Sequence, residues 1–178
     1  MQLAYLVSKA IDDESWTGGL LVTDRRGLPV DFRYVEPIKP TRIQKLIYGG
    51  ALKRYLLMDA IAGTLLKASG SKADWIFTGE NELLELETPS SGRFVVIEPG
   101  GREPFDSRGE WHLTGVGKIA LQVGASGQPV HLTFNSADEK ETEKIADELA
   151  ELSREFDFTE PLRRVREALT EICRNGHE

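Results

Sequence analysis

Cysteine is nearly absent: Cys173 is the only one in 178 residues. A disulfide within the chain and a cysteine-rich zinc site are therefore excluded, and the usage points to a reducing compartment. Histidine is scarce too. His112, His131 and His177 are the full set, no two stand at helical spacing, and no metal site is expected from them. No apolar run reaches the roughly 18 residues that a bilayer span needs; the longest, Tyr55 to Leu66, is interrupted by Asp59 and Gly63. The N-terminus lacks a basic leader region and a cleavage site, so a cytoplasmic location is the expectation. A nucleophile elbow of the Gly-x-Ser-x-Gly kind and the Walker spacing are missing as well. Gly100-Gly101-Arg102 and Gly115-Val116-Gly117-Lys118 are glycine-rich with a cation, but neither opens a helix, and both read as bends. No internal repeat or low-complexity tract is present.

What is there suffices for a core. Hydrophobic residues make up 40% and charged residues 29% of the chain, and a chain of this length buries roughly 70% of its unfolded surface without staples. Residues 2–8 read as a buried first strand. Gly18 to Thr23 and Val30 to Val35 flank the turn Asp24-Arg25-Arg26-Gly27 and form a hairpin. Thr41-Arg42-Ile43-Gln44 has capping-box spacing, so a helix starts at Arg42 and ends at Gly49-Gly50. A second, nearly all-round apolar helix is predicted from Ala51 to Ala68, which marks it as buried. Asp74 to Thr78, a short helix over Asn81 to Leu86, and Arg93 to Ile97 make a small parallel unit. Lys118 to Val123 and Val130 to Phe134 pair as a second hairpin. A helix capped by Asn135 or Ser136 follows, and Thr159 caps the last one, with Pro161 in its first turn.

The fold class expected is α+β, a mixed and mostly antiparallel sheet of six to eight strands with two helices after the third strand and two at the C-terminus. Residues 1–156 form one domain; residues 157–178 add a helix, packed on it or used for docking. The last helix carries a narrow stripe of Leu162, Val165, Leu169 and Ile172, of the kind that lies in a groove.

The segments Gly18-Gly-Leu-Leu-Val-Thr-Asp24, Phe32-Arg33-Tyr34, Pro40-Thr-Arg-Ile-Gln-Lys-Leu-Ile-Tyr48-Gly49 and Glu160-Pro-Leu-Arg-Arg-Val-Arg166 resemble an uncharacterised family of bacterial proteins with no assigned activity. The resemblance implies a bacterial, intracellular, single compact unit and carries over no functional residue.

Charge is the one feature that speaks to a partner. The net charge is −7, yet residues 25–72 hold ten Lys and Arg against three acids, and residues 73–178 hold eleven against twenty-two. Arg33, Lys39, Arg42, Lys45, Lys53 and Arg54, with Tyr34 and Tyr48 among them, are the candidate partner-binding residues. If they gather on one face, they suit a protein interface, where Tyr and Arg are favoured anchors. The expectation is therefore a non-enzymatic accessory or scaffold domain that binds a protein partner or itself, without a cofactor and without catalytic residues. One alternative is a nucleic-acid-binding accessory protein, in which the same cations track a phosphate backbone and the tyrosines stack on bases. The other is a small-molecule enzyme with its site near Thr78–Asn81, after a strand and before a helix, where open α/β sheets bind ligands.

Overall fold

The computed structural model describes residues 1–70, 72–86, 92–100, 103–124 and 127–175. Eight strands form one sheet: β1 (Gln2–Ala10), β2 (Trp16–Asp24), β3 (Pro29–Ile38), β4 (Trp75–Thr78), β5 (Arg93–Pro99), β6 (Trp111–Gly115), β7 (Lys118–Leu121) and β8 (Val130–Phe134). Their order is β3-β2-β1-β4-β5-β8-β7-β6. β1 pairs with β4 and β4 with β5 in parallel; every other pairing is antiparallel. This is the mixed, mostly antiparallel α+β sheet that the alternation of the segments implies.

β1 reads as a near-continuous apolar run because both of its faces are covered. Leu3, Tyr5 and Val7 belong to one core, with Phe77, Val95, Ile145, Leu149, Val165 and Leu169. Ala4 and Leu6 belong to the other, with Leu20, Leu57, Ile61, Leu65 and Leu83. The first core is closed by helices α4 (Glu139–Glu155) and α5 (Glu160–Asn175), the second by the helical stretch between β3 and β4.

That stretch departs from a pair of plain helices. α1 (Arg42–Tyr48) has the expected capping box: Thr41 Oγ1 accepts from the Gln44 amide while the Gln44 side chain accepts from the Thr41 amide. α1 buries none of its residues, and Ile43, Leu46 and Ile47 are exposed. After Gly49, which takes φ 50°, the expected single helix is α2 (Leu52–Tyr55), a π-helical segment (Leu56–Gly63) and α3 (Thr64–Ser69). The wider π turn sets Leu56, Leu57, Met58, Ile61 and Ala62 all into the sheet. Gly18 of β2 is the counterpart: a Cβ there would run into the Ile61 side chain, so only glycine lets the π segment lie this close.

Other differences are local. β6 is a strand that the sequence pattern does not announce; it forms a sheet edge, and four of its five residues are polar, small or exposed. α4 is capped by Asp138 rather than Asn135 or Ser136, because the Asp138 carboxylate reaches the Glu141 amide at 2.8 Å. Asp157, not Thr159, supplies the side-chain cap before α5, accepting from the Thr159 amide at 2.9 Å. Leu162, Val165 and Leu169 are buried, the last two against Gly19, so three of the four stripe residues pack on the sheet, and Ile172 is half-buried beside Ile11 and Pro37. The expected stop at Gly176 lies outside the described residues. His112 and His131 stand two strands apart with Ala120 between them, and His177 lies outside the described residues. The Gly115–Lys118 segment is the irregular β6–β7 turn, with a register shift at Gly115 and φ 67° at Gly117.

Candidate functional site

The parallel trio β1, β4 and β5 aims its carboxyl ends at one rim of the sheet, and this is where the polar side chains converge. β1 is apolar to Val7 and then turns polar with Ser8 and Lys9; β4 ends at Thr78 and continues into Gly79, Glu80 and Asn81. The register Leu6↔Thr78 brings these two polar ends side by side. The Ser8 hydroxyl donates to Glu80 Oε1 at 2.6 Å, and the Glu80 amide is held on Thr78 Oγ1 at 3.2 Å. On β5, Glu98 accepts from the Asn81 amide group at 3.3 Å.

Ser8 and Glu80 open into a pocket of about 210 Å³ whose remaining walls are Ala10, Trp16, Lys53, Leu56, Leu57 and Ile61. The π segment supplies the apolar wall, and such segments recur at functional sites. On the other face of the rim, Lys9 Nζ donates to Thr170 Oγ1 of α5 at 2.6 Å, and the Arg166 guanidinium lies alongside Gly79. None of Lys9, Lys53 and Arg166 pairs with a described acid. The rim therefore holds three cations without an ion pair among the described residues, together with the Glu80 and Glu98 carboxylates, beside a pocket with one apolar wall. The opposite, amino end of the parallel strands is different: Asp74, Glu141 and Glu148 line a cavity there with Arg93 and Lys144, and Arg93 is already paired with Glu141.

The basic set singled out from the sequence does not gather on one face. Arg33 lies beside Leu20 in the β2–β3 register, and Tyr34 beside Gly19, so the pleat turns them to opposite faces of the sheet. Arg33 is paired with Asp31 at 2.9 Å. Lys39 and Lys45 both close on Glu14, at 3.0 and 2.8 Å, and Arg54 closes on Glu85 at 2.6 Å. Tyr48 stacks on Tyr55 with ring centroids 4.4 Å apart. Arg42 is free of ion pairs among the described residues, but only Lys53 reaches the rim. The acids that neutralise these cations come from Glu14 and Asp31 as well as from Glu85. Charge counting along the chain cannot register that pairing, because it depends on how the β1–β2 turn folds over the start of α1. Ser8, Lys9, Trp16, Glu98, Arg166 and Thr170 carry no signal of a site in the sequence. The one usable signal is the parallel unit ending at Thr78–Asn81, which does border the pocket.

Glu14 has a checkable consequence. Its hydrogen bonds to Lys45 and Lys39 hold the carboxyl down at about 2. A carboxylate depressed in the folded state stabilises above its ordinary pKa, and that contribution is lost as pH falls through the folded value. The tether of α1 to the β1–β2 turn should thus be complete above pH 4.5 and vanish toward pH 2. A side-chain NMR titration should place the Glu14 inflection near 2, and Lys45→Met should move it upward.

Metal-assisted phosphodiester hydrolysis needs several hard oxygen ligands around one point. Among the described residues no group of three or more His, Cys, Asp or Glu side chains is placed to hold a metal ion. At the rim, β1 sets the hydroxyl of Ser8, not a carboxylate, against Glu80. The residues present do not fit such a centre, and no step through a metal follows from them.

No protein-family model and no curated protein matches the chain. Solved structures do. The chain superimposes on the endonuclease V of Streptomyces avermitilis with TM-score 0.61 at 14% identity, covering 100% of this chain and 83% of that one. It matches the Bacillus subtilis endonuclease V with TM-score 0.60 at 12% identity, over 99% and 81% of the two chains. Human endonuclease V gives TM-score 0.55 at 13% identity, over 99% and 86%. At these identities the likeness is one of fold. Together with the dispersal of the basic set, it corrects the expectation of a non-enzymatic scaffold whose role is protein–protein interaction: the fold is the one these endonuclease V structures share, and the tyrosine-containing basic surface on which the scaffold reading rested is not assembled.

Proposed function

We propose that this chain binds nucleic acid along the carboxyl-end rim of β1, β4 and β5. The observation that carries the reading is the placement of Lys9, Lys53 and Arg166, all unpaired with described acids, along one rim of a sheet with the endonuclease V fold, Lys53 at the pocket on one face and Lys9 and Arg166 on the other. The phosphate backbone supplies most of the affinity in such contacts, and it is met by cations free to displace its counterions. Lys9 is held in place by Thr170 before the ligand arrives, and Arg166 projects into solvent from α5, whose apolar side is packed on the sheet. Trp16, at the pocket wall, offers an aromatic face of the kind on which a base stacks. Part of the excess acid lies away from the rim: Asp74, Glu141 and Glu148 sit at the far end of the parallel strands, while Glu80 and Glu98 remain at the rim and leave its balance at three cations to two carboxylates. The alternative expectation of a nucleic-acid-binding protein is thus supported with a different set of residues, of which only Lys53 belongs to the basic set read from the sequence.

The test is fluorescence anisotropy with labelled single-stranded and duplex oligonucleotides over a salt series. Three phosphate contacts predict a slope of log affinity against log salt of about −2.1 for single strands and about −2.7 for duplex, or roughly 20- to 40-fold weaker binding for a fourfold rise in salt. Chelation of divalent ions should leave the binding unchanged, because no metal-holding cluster is assembled among the described residues. Binding that is flat with salt, or absent at low salt, would remove the proposal.

A further inference from the structure

β3 is an edge strand: it pairs with β2 on one side and with no described strand on the other. Long edges are usually blunted by charge, bulges or covering elements, because their free N–H and C=O groups template pairing with another chain. β3 is ten residues long, and on one of its faces Val30, Phe32 and Tyr34 remain 54%, 37% and 43% exposed, with Leu28 just before them at 59%. Phe32 and Tyr34 already stack along the strand at 6.4 Å. The opposite face of the same stretch carries one acid and one base, Asp31 and Arg33, joined to each other.

From this pattern we infer that β3 pairs antiparallel with β3 of a second copy of this chain, about a two-fold axis at Phe32. A two-fold normal to the sheet keeps each face on its own side, so a residue is opposed by one that shares its face. Centred on Asp31 or on Arg33, the axis would oppose two like charges. Centred on Phe32, it sets Asp31 against the second copy's Arg33, and Arg33 against the second copy's Asp31. On the other face Phe32 meets Phe32, and Tyr34 reaches toward Val30, where the β2–β3 register shifts and the regular edge ends. The exposed row is covered and the charges are matched twice by a single register. Pro29 has no N–H to give and, with the axis at Phe32, bounds the contact to Val30–Tyr34 of each copy, so its length is set by the sequence. The contact is the backbone edge of β3, away from the rim, and it stands whether or not the rim binds nucleic acid.

The experiment is sedimentation velocity on the full chain from micromolar to submillimolar concentration, with three variants. The wild type should rise with concentration from 19.8 kDa toward twice that mass. Asp31→Arg alone and Arg33→Asp alone each place like charges opposite in both positions and should remain monomeric at tenfold higher concentration. Mixed in equal amounts, they should recover the dimer, since one chain then carries a base at both positions 31 and 33 and the other an acid at both. A Phe32→Cys, Cys173→Ser chain should cross-link to itself with a short bismaleimide. Circular dichroism controls for folding, and the cross-link reads the register without any charge change. A wild type that stays monomeric throughout, a mixture that fails to associate while both variants are folded, or no cross-link at position 32 would each overturn the inference.

Discussion

Reversing Lys53 and Arg166 together, as Lys53→Glu with Arg166→Glu, is expected to weaken oligonucleotide binding on the order of 100-fold at low salt. Both side chains are exposed and neither pairs with a described acid, so no buried contact is lost and the melting temperature should hold within a few degrees. Neutral versions, Lys53→Ala and Arg166→Ala, should each reduce the magnitude of the salt slope by about one. The comparison that gives the result its meaning is Arg25→Glu. Arg25 is also exposed, but it is paired with Glu155 at 2.6 Å and belongs to the β2–β3 turn, away from the rim. That change should leave affinity within about twofold. Equal losses from Arg25→Glu and from the double reversal would mean that only net charge is being read, and the rim would lose its claim. Anisotropy titrations at two salt concentrations separate these outcomes.

Phe77→Ala should be the most damaging single change to the fold, at about 3–5 kcal/mol. Phe77 is fully buried on β4, between Tyr5 of β1 at 5.4 Å and Phe158 at 4.9 Å between ring centroids. Its ring ties the central strand, the second parallel strand and the entry to α5 into one stack. Truncation removes a buried aromatic from a place that cannot collapse, because the strands on both sides are locked by backbone pairing. For a chain of this size the loss corresponds to a fall in melting temperature of about 10 °C. Thr78 and Glu80 follow directly on β4, so the rim should loosen with the core and nucleic-acid affinity should fall as well. Tyr48→Ala is the contrast. Its stack on Tyr55 lies at the surface, and the expected cost is below about 1 kcal/mol. Urea unfolding of the two variants decides between them; comparable midpoints would contradict the packing account.

Local pattern was enough for most elements. The turn at Asp24–Gly27, the capping box at Thr41 and Gln44, the alternation in β3 and the parallel unit from Trp75 to Ile97 are short-range features, and each is where its residues place it. The mixed, mostly antiparallel sheet follows from the same signals. The π segment could not be read, because Leu56–Gly63 is apolar enough for any helix; its extra width exists only where Gly18, far earlier in the chain, leaves room for Ile61. β6 escaped for the opposite reason, since an exposed edge carries too few apolar residues to announce itself.

Composition and spacing by themselves determined that the chain is α+β, that its one cysteine allows neither a disulfide within the chain nor a cysteine-rich zinc site, and that its cations crowd into residues 25–72. Only the tertiary structure decided which cations are spent. Glu14, Asp31 and Glu85 pair with four of them, while Lys9 and Arg166, from the two ends of the chain, arrive on the opposite face of the rim from Lys53. Parallel pairing of β1 with β4 joins segments far apart in the chain, and α5 packs back over β1. Charge along a chain is a one-dimensional quantity, and an electrostatic surface is made by contacts that only folding brings within a few ångströms.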